Sequence, residues 1–144
     1  TNIKFKKVPN WEADYLYMRV SEMILTEAEA LAHKGDLSGA ATVLKELMAQ
    51  RDPSWNLSQV SAEDVYQQRR LELWGEGFSL FDHLRLKKGI DRNYEGSNHL
   101  SSARYTIDAG SWYFLYQLPL RELDNSDAIS ADDQNPTPTE SKFK

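Results

Sequence analysis

The sequence predicts a mostly α-helical protein with a loop-rich C-terminal section. Apolar residues recur at helical spacing twice between residues 13 and 51, and the two runs are separated by Gly35 and Asp36, a pair that ends one helix and begins the next. A third run, at 61–89, interleaves charged and large apolar residues. We expect one domain over residues 1–144, comprising a helical hairpin at 14–51, two helices at 61–89, and loops, a short extended segment and a tail at 90–144.

The first helix is predicted at 13–34. Its apolar stripe is formed by Tyr17, Val20, Ile24 and Leu31, widened by Leu16, Met18, Met23 and Leu25, so we expect burial on more than one side. The second helix carries an i, i+3, i+4, i+7, i+8 series, Ala40, Val43, Leu44, Leu47 and Met48. Together they are similar to one tetratricopeptide-type hairpin, which cannot bury both of its faces alone. Neighbouring repeats are therefore expected upstream.

The third helix is predicted to begin at Ser61, which forms a capping-box pattern with Asp64 after the loop at 52–60. Gly75 and Gly77 predict a break, and a shorter helix at 78–87 should follow. Beyond it we expect a long surface loop at 90–110, a short strand or extended segment at 112–118 (WYFLYQL), and an extended or partly disordered tail at 122–144.

Charged side chains within the helical runs predict a partly buried network of ion pairs. Spacings of three or four residues place such pairs on one helix face, and here the charges interleave with large apolar groups. We interpret them as scaffold residues that lock the later helices to the hairpin. The set is Arg19, Glu22, Glu29, Arg69, Glu72, Glu76, Asp82 and Arg85.

Composition and spacing exclude several classes of function. The net charge of -5 and the lack of a long basic run argue against nucleic acid as a partner, and the absence of cysteine excludes disulfides and thiolate metal sites. No apolar run approaches the ~20 residues that span a bilayer. His33, His83 and His99 show no metal-ligand spacing. We expect no metal and no cofactor.

Catalysis is also not expected. Glu72 and Glu76 have a spacing on a helix that could place two carboxylates as glycoside hydrolysis requires. Neighbouring arginines would keep both ionised, which is unsuited to acid catalysis. The ion-pair interpretation is therefore preferred, and the chain is predicted not to be an enzyme.

Two helical motifs and two C-terminal blocks carry a family resemblance. R-R-L-E-L-x-x-E-G-x-x-x-F-D-x-x-R at 69–85 and R-x-x-E-x-x-L-x-x-A-E-A at 19–30 resemble signatures of the SusD/RagB family, surface glycan-binding lipoproteins of Bacteroidetes. LPLREL at 118–123 and QNP at 134–136 resemble its C-terminal pattern. Gln68 stands where the family usually has an acid, Ser79 where it has a base, and Thr137 and Pro138 where it has Gly-Tyr.

The resemblance implies the C-terminal part of a longer protein that binds oligosaccharides or polysaccharides without catalysis. Such a protein would lie on the cell surface at the outer membrane, held by a lipid anchor upstream of this chain. It would deliver its oligosaccharide ligand to a SusC-like TonB-dependent transporter.

Sugar contacts are sought among aromatic side chains outside the helices that have amides beside them, because rings stack on sugars and amides bind hydroxyls. The candidates are Tyr94 with Asn93 and Asn98, Trp55 with Asn56, and Trp112 with Tyr113. Trp55 could instead cap the hairpin, and Trp112 is more typical of a core residue. Much of the site is expected from upstream loops.

The alternative function is a tetratricopeptide-type protein-interaction module without glycan binding of its own, because such hairpins usually present a groove to a peptide.

Overall fold

The computed structural model describes residues 17–137, which divide between two compact units with the boundary between Trp74 and Gly75. The first unit contains α1 (Val20–His33), α2 (Leu37–Arg51) and α3 (Ala62–Glu72). The second contains α4 (Phe78–Arg85), β1 (Ile90–Asp91), β2 (Thr106–Ile107) and α5 (Leu120–Asn125). Single 3-10 turns lie at Ser101–Ala103, Trp112–Phe114 and Ala131–Asp133. The predicted mostly α fold with little sheet is confirmed.

The hairpin of the first unit turns where the sequence predicts it. Gly35 has a φ of +87°, which a residue without Cβ adopts readily, and its N–H donates to the carbonyl of Ala32. Asp36 then caps α2, because its carboxylate accepts from the N–H of Gly39 at 2.8 Å. The capping box predicted for α3 is present too, with Ser61 and Asp64 each accepting from the other's backbone N–H.

The core of the first unit lies where α1 packs on both α2 and α3. Leu25, Ala28, Ala40, Leu44 and Val65 are completely buried there. The alanines bring the helix backbones close together, while the leucines fill the remaining space. This core sets the positions of the ends of α2 and α3, where the charged residues described below lie.

The predicted burial of α1 is wrong in its first turns. The helix begins at Val20, residues 13–16 lie outside the described residues, and Tyr17 is 86% exposed. Met18, Val20 and Met23 are exposed as well, and the buried positions are Ser21, Leu25, Ala28, Glu29 and Ala32. Apart from Leu25, the buried face of α1 consists of small and charged residues. A stripe identified from the large apolar residues therefore lies on a different side of the helix.

The second unit contains a β-hairpin that the sequence did not predict. β1 pairs with β2 in antiparallel fashion, with Ile90 opposite Ile107, and residues 92–105 form the loop between them. Gly89 leads into β1 so close to the carbonyl of Ile107 that any Cβ at this position would clash with it. The predicted surface loop is therefore anchored on a short ladder.

The strand predicted at 112–118 is not observed. Ser111 accepts a hydrogen bond from the N–H of Tyr113 and starts a 3-10 turn instead, which buries Phe114 and leaves Trp112 49% exposed. A strand needs a neighbour to pair with, and the only described ladder joins β1 to β2. Trp112 is thus not the core residue that its apolar surroundings suggested.

The predicted extended tail also contains structure. α5 begins directly after Pro119, and the side-chain amide of Gln134 folds back onto Leu118, accepting from its N–H at 2.8 Å and donating to its carbonyl at 3.0 Å. Asn135 adds a bond from its amide to the carbonyl of Tyr116 at 2.7 Å. Residues 138–144 lie outside the described residues. No helix between residues 17 and 137 is long and apolar enough to cross a membrane.

Candidate functional site

The loop at 92–105 presents three of the predicted sugar-contact residues. Tyr94 is 53% exposed. Asn93 directly precedes it, Asn98 follows four residues later, and both are exposed. A phenol ring offers an apolar face and a hydroxyl, and each amide offers both donors and an acceptor. Such groups can stack on a sugar ring and form hydrogen bonds with its hydroxyls.

The loop is held by its own polar groups. Ser97 is only 5% exposed; its N–H donates to the carbonyl of Tyr94 at 3.1 Å, and its hydroxyl donates to the carbonyl of Arg92 at 2.9 Å. The guanidinium of Arg92 lies over the ring of Tyr105, 4.8 Å from its centroid. Arg104 donates to the carbonyls of Ser97 and His99. The loop thus has a defined internal structure although most of its surface is exposed.

The other predicted pair lies in the first unit. Trp55 is half-buried after α2, where its N–H donates to the carbonyl of Asp52 at 3.0 Å, and Asn56 is exposed. Trp55 lines a groove of about 340 Å³ between the ends of α2 and α3. The other lining residues are Leu47, Met48, Arg51, Asp52, Gln68, Leu71 and Glu72. The groove combines an apolar floor with a polar rim.

Glu72 is held between two arginines at one end of this groove. Arg19 Nη1 lies 2.9 Å from Glu72 Oε1, and Arg51 Nε lies 2.8 Å from Oε2. Hydrogen bonds from Arg51, and then those from Arg19, lower the pKa of Glu72 from 4.5 to about 2 against the opposing effect of burial. The same contact raises the pKa of Arg51. The cluster joins the start of α1, the end of α2 and the end of α3.

The other predicted ion-pair residues differ in burial and in position along the chain. Asp82 is buried and accepts from Arg85 Nε at 2.8 Å, both within α4. Glu29 is buried, with one carboxylate oxygen 3.7 Å from His33 Nε2. Arg69 is buried in α3. Glu22 makes no ion pair within residues 17–137.

The predicted helical relation between Glu72 and Glu76 is wrong. α3 ends at Glu72, and Glu76 lies in the turn before α4, which begins after two glycines with positive φ. The spacing that would place two carboxylates on one helix face therefore does not apply. Glu72 with a pKa of about 2 also has no proton to donate near neutral pH.

The three histidines, His33, His83 and His99, have different contacts. His83 stacks on Phe114 with ring centroids 5.8 Å apart, and its Nδ1 lies 3.3 Å from the carbonyl oxygen of Lys88. Across the described part of the chain, no group of three or more His, Cys, Asp or Glu residues could hold a metal ion.

The sequence model of the SusD family matches residues 4–137, which is nearly the whole chain. The chain belongs to the SusD family. No curated protein gives a significant match.

Two solved structures from Bacteroides vulgatus ATCC 8482 are similar to it. One is a SusD-like carbohydrate binding protein, 26% identical, with a TM-score of 0.69 over 96% of this chain and 34% of that protein. The other, described as a candidate sugar binding protein, is also 26% identical, with a TM-score of 0.71 over 83% of this chain and 28% of that protein. The chain spans about a third of the length of each.

The SusD-family signatures contain part of the observed charge cluster. Arg19 opens one signature and Glu72 lies in the other, but Arg51, which makes the shortest bond to Glu72, lies outside both. Sequence analysis missed Arg51 and also Arg104. A basic residue in the last turn of the predicted second helix was a weak signal for Arg51, and nothing local distinguished Arg104.

Proposed function

We propose that this chain is part of a non-catalytic protein that binds oligosaccharides or polysaccharides at the bacterial cell surface and delivers them to a SusC-like TonB-dependent transporter. The family match over residues 4–137 carries this proposal, and the two similar proteins described as binding sugar support it. The protein would be held at the outer membrane by a lipid anchor upstream of this chain.

The loop at 92–105 is the proposed sugar contact of the second unit. Tyr94 would stack on a sugar ring while Asn93 and Asn98 bind hydroxyls. Exposed rings are costly to leave in water, and an exposed tyrosine between two amides on an internally bonded loop is well suited to this use. Trp55 and Asn56 are the corresponding proposal for the first unit.

The test is a glycan-array screen of the chain beside the complete gene product, followed by titration calorimetry with the best oligosaccharide. We expect Tyr94→Ala to weaken binding about tenfold, which corresponds to the loss of about 1.4 kcal/mol of binding free energy. Tyr116→Ala is the matched control, because Tyr116 is 79% exposed in the same unit. Equal affinity of Tyr94→Ala and wild type would remove the loop from the site.

Catalysis can be tested in the same samples. Incubation of the bound oligosaccharide with the protein should release no new reducing ends. Measured turnover that follows protein concentration would refute the non-catalytic assignment.

The groove beside Trp55 supports a second candidate, a protein-interaction module that binds no glycan. Leu71 is 73% exposed and lines this groove together with the buried Leu47 and Met48, so an apolar side chain of a peptide could contact all three. Retention of the transporter by the chain, with no sugar retained, would favour this function. Leu71→Ser should then abolish retention, whereas the exposed Leu57→Ser should not.

A further inference from the structure

We infer that Arg104 is the positioning residue of the proposed sugar-binding loop. This inference rests on the proposed function, because it assigns to Arg104 the task of holding the loop in the shape that binds sugar. Arg104 lies just before β2, whereas the candidate contact residues lie on the other arm of the loop.

The guanidinium of Arg104 brackets Asn98. Its Nη2 donates to the carbonyl of Ser97 at 2.7 Å, and its Nε donates to the carbonyl of His99 at 3.0 Å. These carbonyls belong to the Ser97–Asn98 and His99–Leu100 peptides, so one side chain fixes the peptide planes at both ends of the Asn98–His99 segment. A planar guanidinium with donors at fixed angles is suited to this double contact, and a lysine ammonium is not.

The same contacts hold Tyr94 indirectly. Ser97 is buried, and its N–H closes the turn that begins at Tyr94. Its hydroxyl donates to the carbonyl of Arg92 and lies 3.4 Å from the N–H of His99. Arg104 binds the carbonyl of Ser97 from outside this turn, so it ties the tip of the loop to the arm that enters β2.

The expected loss of affinity depends on the fraction of molecules whose loop already has the sugar-binding conformation. Without Arg104, ligand binding would have to order the loop, and the apparent affinity falls in proportion to the fraction of molecules already in the binding shape. If that fraction drops to about a tenth, the dissociation constant rises about tenfold. Lysine would keep the charge of Arg104 but not its two donors at fixed angles, so it should not restore the affinity.

The experiment compares Arg104→Gln and Arg104→Lys with wild type in the complete gene product. Arg121→Gln is the matched control, because Arg121 is exposed in the same unit and its side chain makes no hydrogen bond within the described residues. Calorimetry measures the dissociation constant of the oligosaccharide selected on the array. Hydrogen exchange followed by mass spectrometry reports on the segment from Tyr94 to His99.

Both Arg104 variants should bind about tenfold more weakly and exchange faster in that segment, with a melting temperature close to that of Arg121→Gln. Hydrogen exchange of the ligand-free protein distinguishes the positioning role from a direct contact. A direct contact between Arg104 and the sugar would weaken binding without changing the exchange of the free loop, whereas loss of positioning changes both.

Three results would overturn the inference while leaving the proposed function intact: wild-type affinity in Arg104→Gln, full affinity in Arg104→Lys, or weaker binding without faster exchange of the ligand-free segment. Absence of oligosaccharide binding by the wild-type protein would overturn the proposed function, and this inference with it.

Discussion

Replacing Glu72 by glutamine should destabilise the first unit strongly, because this carboxylate joins three helices. Its side chain is only 10% exposed and accepts from Arg19 and Arg51 at 2.9 and 2.8 Å. Glutamine keeps the shape but removes the charge that both guanidiniums face. The two cations would then lie near each other without a shared anion.

The magnitude follows from the pKa of Glu72, which falls from 4.5 to about 2. Each pKa unit corresponds to 1.36 kcal/mol, so the ionised form contributes at most ~3 kcal/mol to the free energy of unfolding. Because the Arg51 side chain is 50% exposed, solvent screening reduces this contribution. We expect Glu72→Gln to lower the free energy of unfolding by about 2–3 kcal/mol at pH 7.

The same pKa fixes the pH dependence. A carboxylate whose pKa is lowered by folding stabilises the protein fully above its unfolded pKa, and this stabilisation is lost as the pH falls through the folded pKa. The difference between wild type and Glu72→Gln should therefore shrink below pH 4.5, to ~1 kcal/mol at pH 3, and vanish below about pH 2.

Urea unfolding at pH 7 and pH 3, followed by hydrogen exchange of the α1 amides, measures this difference in the first unit. Glu46→Gln is the control, because Glu46 is exposed on α2 and makes no ion pair within residues 17–137. A difference that stays constant between the two pH values would refute the electrostatic reasoning. A selective loss of sugar affinity in a normally stable Glu72→Gln protein would refute its assignment as a scaffold residue.

Three further substitutions are predicted. Ser61→Ala should lower the free energy of unfolding by about 1 kcal/mol, measured by urea titration, because the N-cap hydroxyl of α3 is lost. Gly89→Ala should weaken oligosaccharide binding through the loop, because its Cβ would meet the carbonyl of Ile107; unchanged affinity and unchanged exchange of the loop amides would contradict this. Arg85→Gln should lower the melting temperature more than the affinity, because it leaves the buried carboxylate of Asp82 without this partner, and thermal melts beside calorimetry would reveal the opposite order.

Local chemistry was readable from the sequence, and distant pairing was not. Gly35 with Asp36, and Ser61 with Asp64, mark helix ends through contacts within a few residues, so their patterns carry the information. The strands β1 and β2 have two residues each and pair across the whole loop at 92–105, which leaves no period to detect.

The charge cluster shows the same limit. The sequence predicts both Arg19 and Glu72 as scaffold residues, yet their contact joins residues 53 positions apart. It does not predict Arg51, because nothing in the neighbouring sequence shows that the end of α2 meets the end of α3. The proposed sugar contacts were chosen by residue type, and the structure adds that Tyr94 lies on a loop with its own hydrogen bonds.

The amide of Gln134 occupies both backbone groups of Leu118, one as donor and one as acceptor, as the edge of a neighbouring strand would. The side chain of Gln134 therefore pairs the backbone groups of Leu118, which a second strand would otherwise pair. Cleavage of the chain just before Gln134 would leave both backbone groups of Leu118 and the carbonyl of Tyr116 without these partners, beside the largely exposed side chain of Tyr116. The segment before α5 therefore depends for its shape on residues 134 and 135, which follow it in the chain.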